Sequence, residues 1–183
     1  MYPERLMKVY SQINQEKIDI LASLIAKTIL NHKKVFIFGN GGSAATSSHF
    51  VTDLIKRGEE TKRSTPIYSL NSNTSLISMI ANDYGFEEIF SIQLFHLASK
   101  DDLIVMLSAS GNSRNLIKAA LMAKKIGSIT VSVTGFDGGN LQNLTNISIN
   151  LKNSIRDYGI AEDMQSIYCH AVSESYGKSL ANA

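Results

Sequence analysis

The chain has 183 residues, 44% of them hydrophobic, with one cysteine and a formal charge of +2 from 18 basic and 16 acidic side chains. That length suits one domain, burying roughly 70% of the unfolded surface, so a core forms without staples. The lone Cys169 excludes an intramolecular disulfide framework and points to the cytoplasm, the balanced charge argues against a nucleic-acid surface, and no apolar run reaches the length of a membrane span or signal peptide.

Only Pro3 and Pro66 punctuate the chain, and no Ser/Gly/Pro tract offers an interdomain linker. The expectation is a single domain over residues 1–183, with an N-terminal helical region at about 6–31 and a C-terminal helix at about 161–179. In the first region Ile13, Ile18, Leu21, Leu24, Ile25 and Ile29 recur at helical spacing, as one helix or a pair. VFIF at Val35–Phe38 then stops at a glycine cluster, as a strand buried on both faces does. A helical stretch follows from Ser43 to about Arg57. Further strands are expected at Ile67–Leu70, Leu103–Leu107, Ile129–Thr134 and Ile147–Leu151, with helical patterns between them, notably Ser113–Ile126. Alternating strands and helices imply right-handed crossovers and a parallel sheet. The expected architecture is α/β, a three-layer αβα sandwich of about five strands.

Two strand-to-helix junctions resemble each other, VFIFGNGGSAATSSHF and LIVMLSASGNSRNLIKAA. Each passes from an apolar strand through a turn of Gly, Asn and Ser into a helix. Glycine admits close backbone approach, helix-start N–H groups point outward, and serines add donors, so such turns suit a phosphate. Ser43, Ser108, Ser110 and Ser113 are the serine candidates. GNGGSA lacks both the P-loop lysine and the third glycine of a dinucleotide fingerprint. A small phosphorylated ligand is expected, with no nucleotide or organic cofactor.

Among the four histidines, His49 lies one helical turn before Asp53 on a shared face. Glu162 and Asp163 precede His170 by about two turns. These groups can serve as general acid and base, as ligands of a divalent metal such as zinc, or as ordinary solvated side chains.

Five segments, GNGGSAATSSHF at Gly39–Phe50, NDYGFEEIFSIQL at Asn82–Leu94, SASGNS at Ser108–Ser113, TGFDGG at Thr134–Gly139 and EDMQSIYCH at Glu162–His170, occur in this order. Together they resemble the SIS-domain sugar isomerases, and among these the sedoheptulose 7-phosphate (phosphoheptose) isomerases. The resemblance runs over almost the whole chain. It implies a flavodoxin-like sandwich, a homotetramer with active sites at subunit interfaces, and an aldose–ketose isomerisation toward heptose for lipopolysaccharide or capsule.

By position, the resemblance puts the phosphate on Ser43, Ser108, Ser110 and Ser113, in a pocket that also includes Asn40, Gly41, Gly42, Asn82, Asp83, Ala109 and Glu162. It makes Asp53 and His170 the catalytic pair and His49, Asp53, Glu162 and His170 the ligands of one zinc per subunit. Asp53 stands where the family has Glu, Glu162 where it has Gln, and Ala109 where it has a hydroxyl residue. The competing reading is a non-catalytic SIS protein, either a phosphosugar sensor or a tetrameric adaptor for a protein partner.

Overall fold

The computed structural model describes residues 1–181; residues 182–183, the end of the expected 1–183 domain, lie outside the described residues. Five strands, β1 (Val35–Gly39), β2 (Ile67–Ser69), β3 (Leu103–Ser108), β4 (Ile129–Thr134) and β5 (Ile147–Asn150), form one all-parallel sheet in the order β2-β1-β3-β4-β5. Among the described residues seven α-helices accompany them: α1 (Tyr2–Tyr10), α2 (Gln15–Leu30), α3 (Gly41–Glu60), α4 (Thr74–Asp83), α5 (Ser91–Leu97), α6 (Arg114–Ile126) and α7 (Tyr158–Ala181).

β1 and β3 are buried along their whole length because the sheet is covered on both faces. Their residues alternate between two cores at the strand period of two. Val35, Ile37, Val105 and Leu107 pack with Ile25, Phe50, Leu54, Tyr168 and Val172 from α2, α3 and α7. Phe36, Phe38, Ile104 and Met106 pack with Ile80, Leu94 and Leu116 from α4, α5 and α6 and with Phe90 just before α5.

The N-terminal helical region is a pair. The Asn14 side chain accepts from the Lys17 N–H at 3.0 Å and starts α2 afresh after a break at residues 11–14. α3 and α7 run longer than their sequence signals, starting at Gly41 and Tyr158.

From β1 the chain moves outward to β2 and then back across to β3. Strand order therefore reverses between β1 and β3, and a crevice opens at their carboxyl ends, the place where open α/β sheets bind ligands. The two glycine- and serine-rich turns follow these very strands, so topology sets them side by side.

Candidate active site

Asn40 precedes α3 and Ser113 precedes α6 in extended backbone, and neither side chain caps its helix. The first-turn N–H groups are left for a ligand, and the two helix dipoles favour an anion there. Asn40, Gly41, Ser43, Ser108, Ala109, Ser110 and Ser113 line a pocket of about 210 Å³, with Tyr158 and Glu162 of α7 at its rim. A reciprocal amide pair ties the two helix starts together, Asn40 Nδ2 donating to Asn115 Oδ1 and Asn115 Nδ2 to Asn40 Oδ1, each at 2.9 Å. Asn71 holds the end of β1: its Oδ1 accepts from the Gly39 N–H at 3.2 Å and its Nδ2 donates to the Gly39 carbonyl at 3.0 Å.

The four serines are not equivalent. Ser43, buried, donates its hydroxyl to Gln165 Oε1 at 2.7 Å, and Gln165 Nε2 donates to the Val133 carbonyl at 3.3 Å. Ser108 Oγ accepts from the Gly111 N–H at 3.0 Å and Ser110 Oγ from the Asn112 N–H at 3.2 Å. Since these two accept, their O–H groups remain free to donate, as does that of Ser113. Ala109 is buried against Phe136 and Ala161, an apolar contact that a hydroxyl would disturb.

Two glycines are required here by contact. Gly111 has φ +64°, and a β-carbon on it would lie 2.0 Å from the Gly138 carbonyl oxygen, because the TGFDGG segment wraps the second turn. A β-carbon on Gly42 would lie 2.2 Å from the Glu162 carboxyl carbon and 2.3 and 2.5 Å from its oxygens.

Further along α3 and α7 lies a second cluster. His49 Nε2 and His170 Nε2 are 3.1 Å apart with the rings edge to face, one nitrogen donating to the other. Asp53 Oδ2 lies 3.5 Å from His49 Nε2 and 3.6 Å from His170 Nε2. All three ligand atoms fall within 4.8 Å of one another, and both imidazoles are exposed. Two nitrogens and a carboxylate oxygen at this spacing could hold a divalent ion such as zinc, with positions left open for other ligands. Beneath them Cys169 is fully buried, and burial pushes its thiol pKa well up.

Within one chain the expected metal set does not assemble as four. Glu162 precedes His170 by eight residues on α7, about 12 Å along the axis at 1.5 Å per residue. Its carboxyl group packs on Gly42 at the pocket instead. Glu162 is thus a pocket residue and not a partner of His49, Asp53 and His170 in the same chain. Asn82 and Asp83 also stand apart. They end α4, exposed and outside the pocket lining, with Asn82 Nδ2 donating to Asp83 Oδ1 at 2.7 Å. Gln165, Asn71, Asn115 and Tyr158 are site residues that sequence reasoning missed. Gln165 lay inside the quoted EDMQSIYCH and Asn115 inside the quoted LIVMLSASGNSRNLIKAA, but neither was singled out.

The SIS domain family matches residues 2–135, a span that includes both glycine- and serine-rich turns. A phosphoheptose isomerase of Geotalea daltonii is 41% identical over 145 residues, 78% of this chain and 76% of that one. A phosphoheptose isomerase of Aliarcobacter butzleri is 33% identical over 181 residues, 99% and 94% of the two chains. Among solved structures, a phosphoheptose isomerase from Francisella tularensis superposes with a TM-score of 0.88 at 25% identity, covering 97% of this chain and 95% of its own. The chain belongs to the SIS domain family and, within it, to the phosphoheptose isomerases.

Proposed function

We propose that the chain, one SIS domain over residues 1–183, converts D-sedoheptulose 7-phosphate to D-glycero-D-manno-heptose 7-phosphate through an enediol. The observation that carries this reading is the pair of uncapped helix starts converging with three free serine hydroxyls, in a member of this family. The phosphate would accept from the N–H groups of Gly41, Gly42 and Ser43 and from the hydroxyls of Ser108, Ser110 and Ser113. Asp53 would take the proton from C1 of the ketose and return it to C2, and His170 would move the proton between the two oxygens.

The donor set of His49, Asp53 and His170 fits zinc, one per subunit, and these three residues would hold it. When bound, the ion supplies Lewis-acid polarisation of the sugar carbonyl. Asp53 is twelve residues beyond Gly41 on α3, about 18 Å along the axis. Six carbon–carbon bonds of about 1.5 Å span at most about 9 Å between C1 and C7 of the sugar. The separation along α3 exceeds the sugar's own length, which supports active sites completed between copies, as in a homotetramer. We place the enzyme in the cytoplasm, on its lone buried Cys169, supplying heptose for lipopolysaccharide or capsule. No helix among the described residues is long and apolar enough to cross a membrane.

The test is incubation with sedoheptulose 7-phosphate in D2O, with and without chelator, followed by phosphorus and proton NMR. A new sugar phosphate with deuterium at the exchanged carbon is expected, lost on chelation and restored by zinc. Binding without product or exchange would replace the isomerase with a phosphosugar sensor or adaptor.

A further inference from the structure

The phosphate pocket holds a negative charge of its own. Its lining contains Glu162 and, among the described residues, neither lysine nor arginine. The carboxyl group is pressed onto Gly42 in the first turn of α3, close enough that a single β-carbon on that glycine would collide with it. Glu162 therefore faces the same donors that would receive a phosphate.

The charges decide what this does. Each helix start carries about half a positive charge, so the two together bring about one. A carboxylate offsets that amount, while a phosphate monoester brings about −1.5 to −2 near neutrality. A bare phosphate entering this pocket gains hydrogen bonds from N–H and O–H donors but meets a fixed like charge, and like-charge juxtaposition is strongly unfavourable. A polyhydroxylated chain attached to the phosphate changes the balance. Its hydroxyls can donate to the carboxylate oxygens, which accept without competing for the phosphate's donors.

Resting on the reading of the pocket as a phosphosugar site, we propose that Glu162 is a specificity-determining residue that makes the pocket select polyol phosphates over free inorganic phosphate. The carboxylate penalises any phosphate and accepts from hydroxyls that only the sugar carries. Specificity then comes from a repulsive element together with an attractive one. The close contact gives Gly42 its part: without a β-carbon there, α7 can lay the carboxylate against the start of α3.

The test compares wild-type, Glu162→Gln and Glu162→Asp proteins, each checked for unchanged melting temperature, by calorimetric titration with inorganic phosphate and with sedoheptulose 7-phosphate after metal removal. In Glu162→Gln the isosteric amide removes the charge, and inorganic phosphate should bind roughly tenfold more tightly or better. The sugar phosphate, losing its charged acceptor as it loses the repulsion, should gain far less, so the selectivity ratio falls. Glu162→Asp, with the charge retained, should keep phosphate binding weak. An unchanged phosphate affinity in Glu162→Gln, or an equal gain for both ligands, overturns the inference and leaves the isomerase reading standing. Failure of the wild-type protein to bind sedoheptulose 7-phosphate overturns both.

Discussion

Gly42 and Gly111 both lie in the glycine- and serine-rich turns, both collide with a neighbour when given a β-carbon, and should nevertheless respond differently to alanine. At Gly111 the obstacle is the Gly138 carbonyl oxygen at 2.0 Å. It is backbone, in a segment held by the Asn112 side chain accepting from the Asn140 N–H at 3.0 Å. Gly111 also has φ +64°, where an L side chain costs about 1–2 kcal/mol before any contact is counted. Displacing the loop by more than an ångström adds to that, so Gly111→Ala should lose about 2–4 kcal/mol. At Gly42 the obstacle is the end of the flexible Glu162 side chain, which can rotate away. Alanine in a helix is favoured over glycine by up to about 1 kcal/mol, so Gly42→Ala should stay within about 1 kcal/mol of wild type. Urea unfolding at fixed protein concentration, with melting temperatures alongside, measures both. For a chain of this size 1 kcal/mol corresponds to roughly 2–4 °C. If Gly111→Ala unfolds within about 0.5 kcal/mol of wild type, the clash and the left-handed backbone do not govern this loop and the reasoning fails.

Gln165→Leu should cost about 1–3 kcal/mol, because it orphans the buried Ser43 hydroxyl; chemical denaturation reads the loss, and a stability equal to wild type would remove Gln165 from its bridging role. His170→Ala should weaken zinc binding by more than about tenfold, since even outer partners of a metal ligand are worth that much; competition with a chromophoric chelator measures it. Tyr2 donates its hydroxyl to Asp163 Oδ2 at 2.7 Å, and that bond pushes its pKa up to about 12. Because the folded value is raised, its contribution is fully present below the unfolded value near 10 and is lost as pH climbs through about 12. Alkaline denaturation curves should therefore be less steep in Tyr2→Phe over that window.

The strands were legible because the sheet is covered on both faces, which leaves short, uninterrupted apolar runs such as VFIF and LIVML. α4 was not placed individually: Ile80 is its one fully buried residue, too few to impose a helical period. α7 starts at Tyr158 rather than Ala161, with Gly159 in its first turn blurring the signal. At the site, spacing correctly set His49 beside Asp53, since four residues make one turn. It could not separate Glu162 from the cluster of His49, Asp53 and His170, because eight residues restore the same helix face while moving about 12 Å along it. Gln165 was passed over for a related reason. Nothing in a sequence distinguishes a glutamine facing water from one that spans a serine and a strand carbonyl, as this one does by α7 crossing the sheet at Val133.

The same two helices carry both parts of the site. α3 begins at the pocket with Gly42 and Ser43 and continues to His49 and Asp53; α7 begins there with Glu162 and Gln165 and continues to His170. Phe50, Leu54, Tyr168 and Val172 pack these helices onto one core, so pocket and cluster are rigidly spaced along parallel rulers. They share no side chain. Groups further apart than about 7–10 Å without a common partner act nearly independently. Stripping metal from the cluster should therefore leave the affinity for inorganic phosphate unchanged within about twofold, while isomerisation is lost. Titrating phosphate into metal-loaded and chelated protein measures this directly. A large drop in phosphate affinity on chelation would mean that the ion contacts the anion itself, which the spacing along α3 and α7 forbids within one chain and only a second copy could supply.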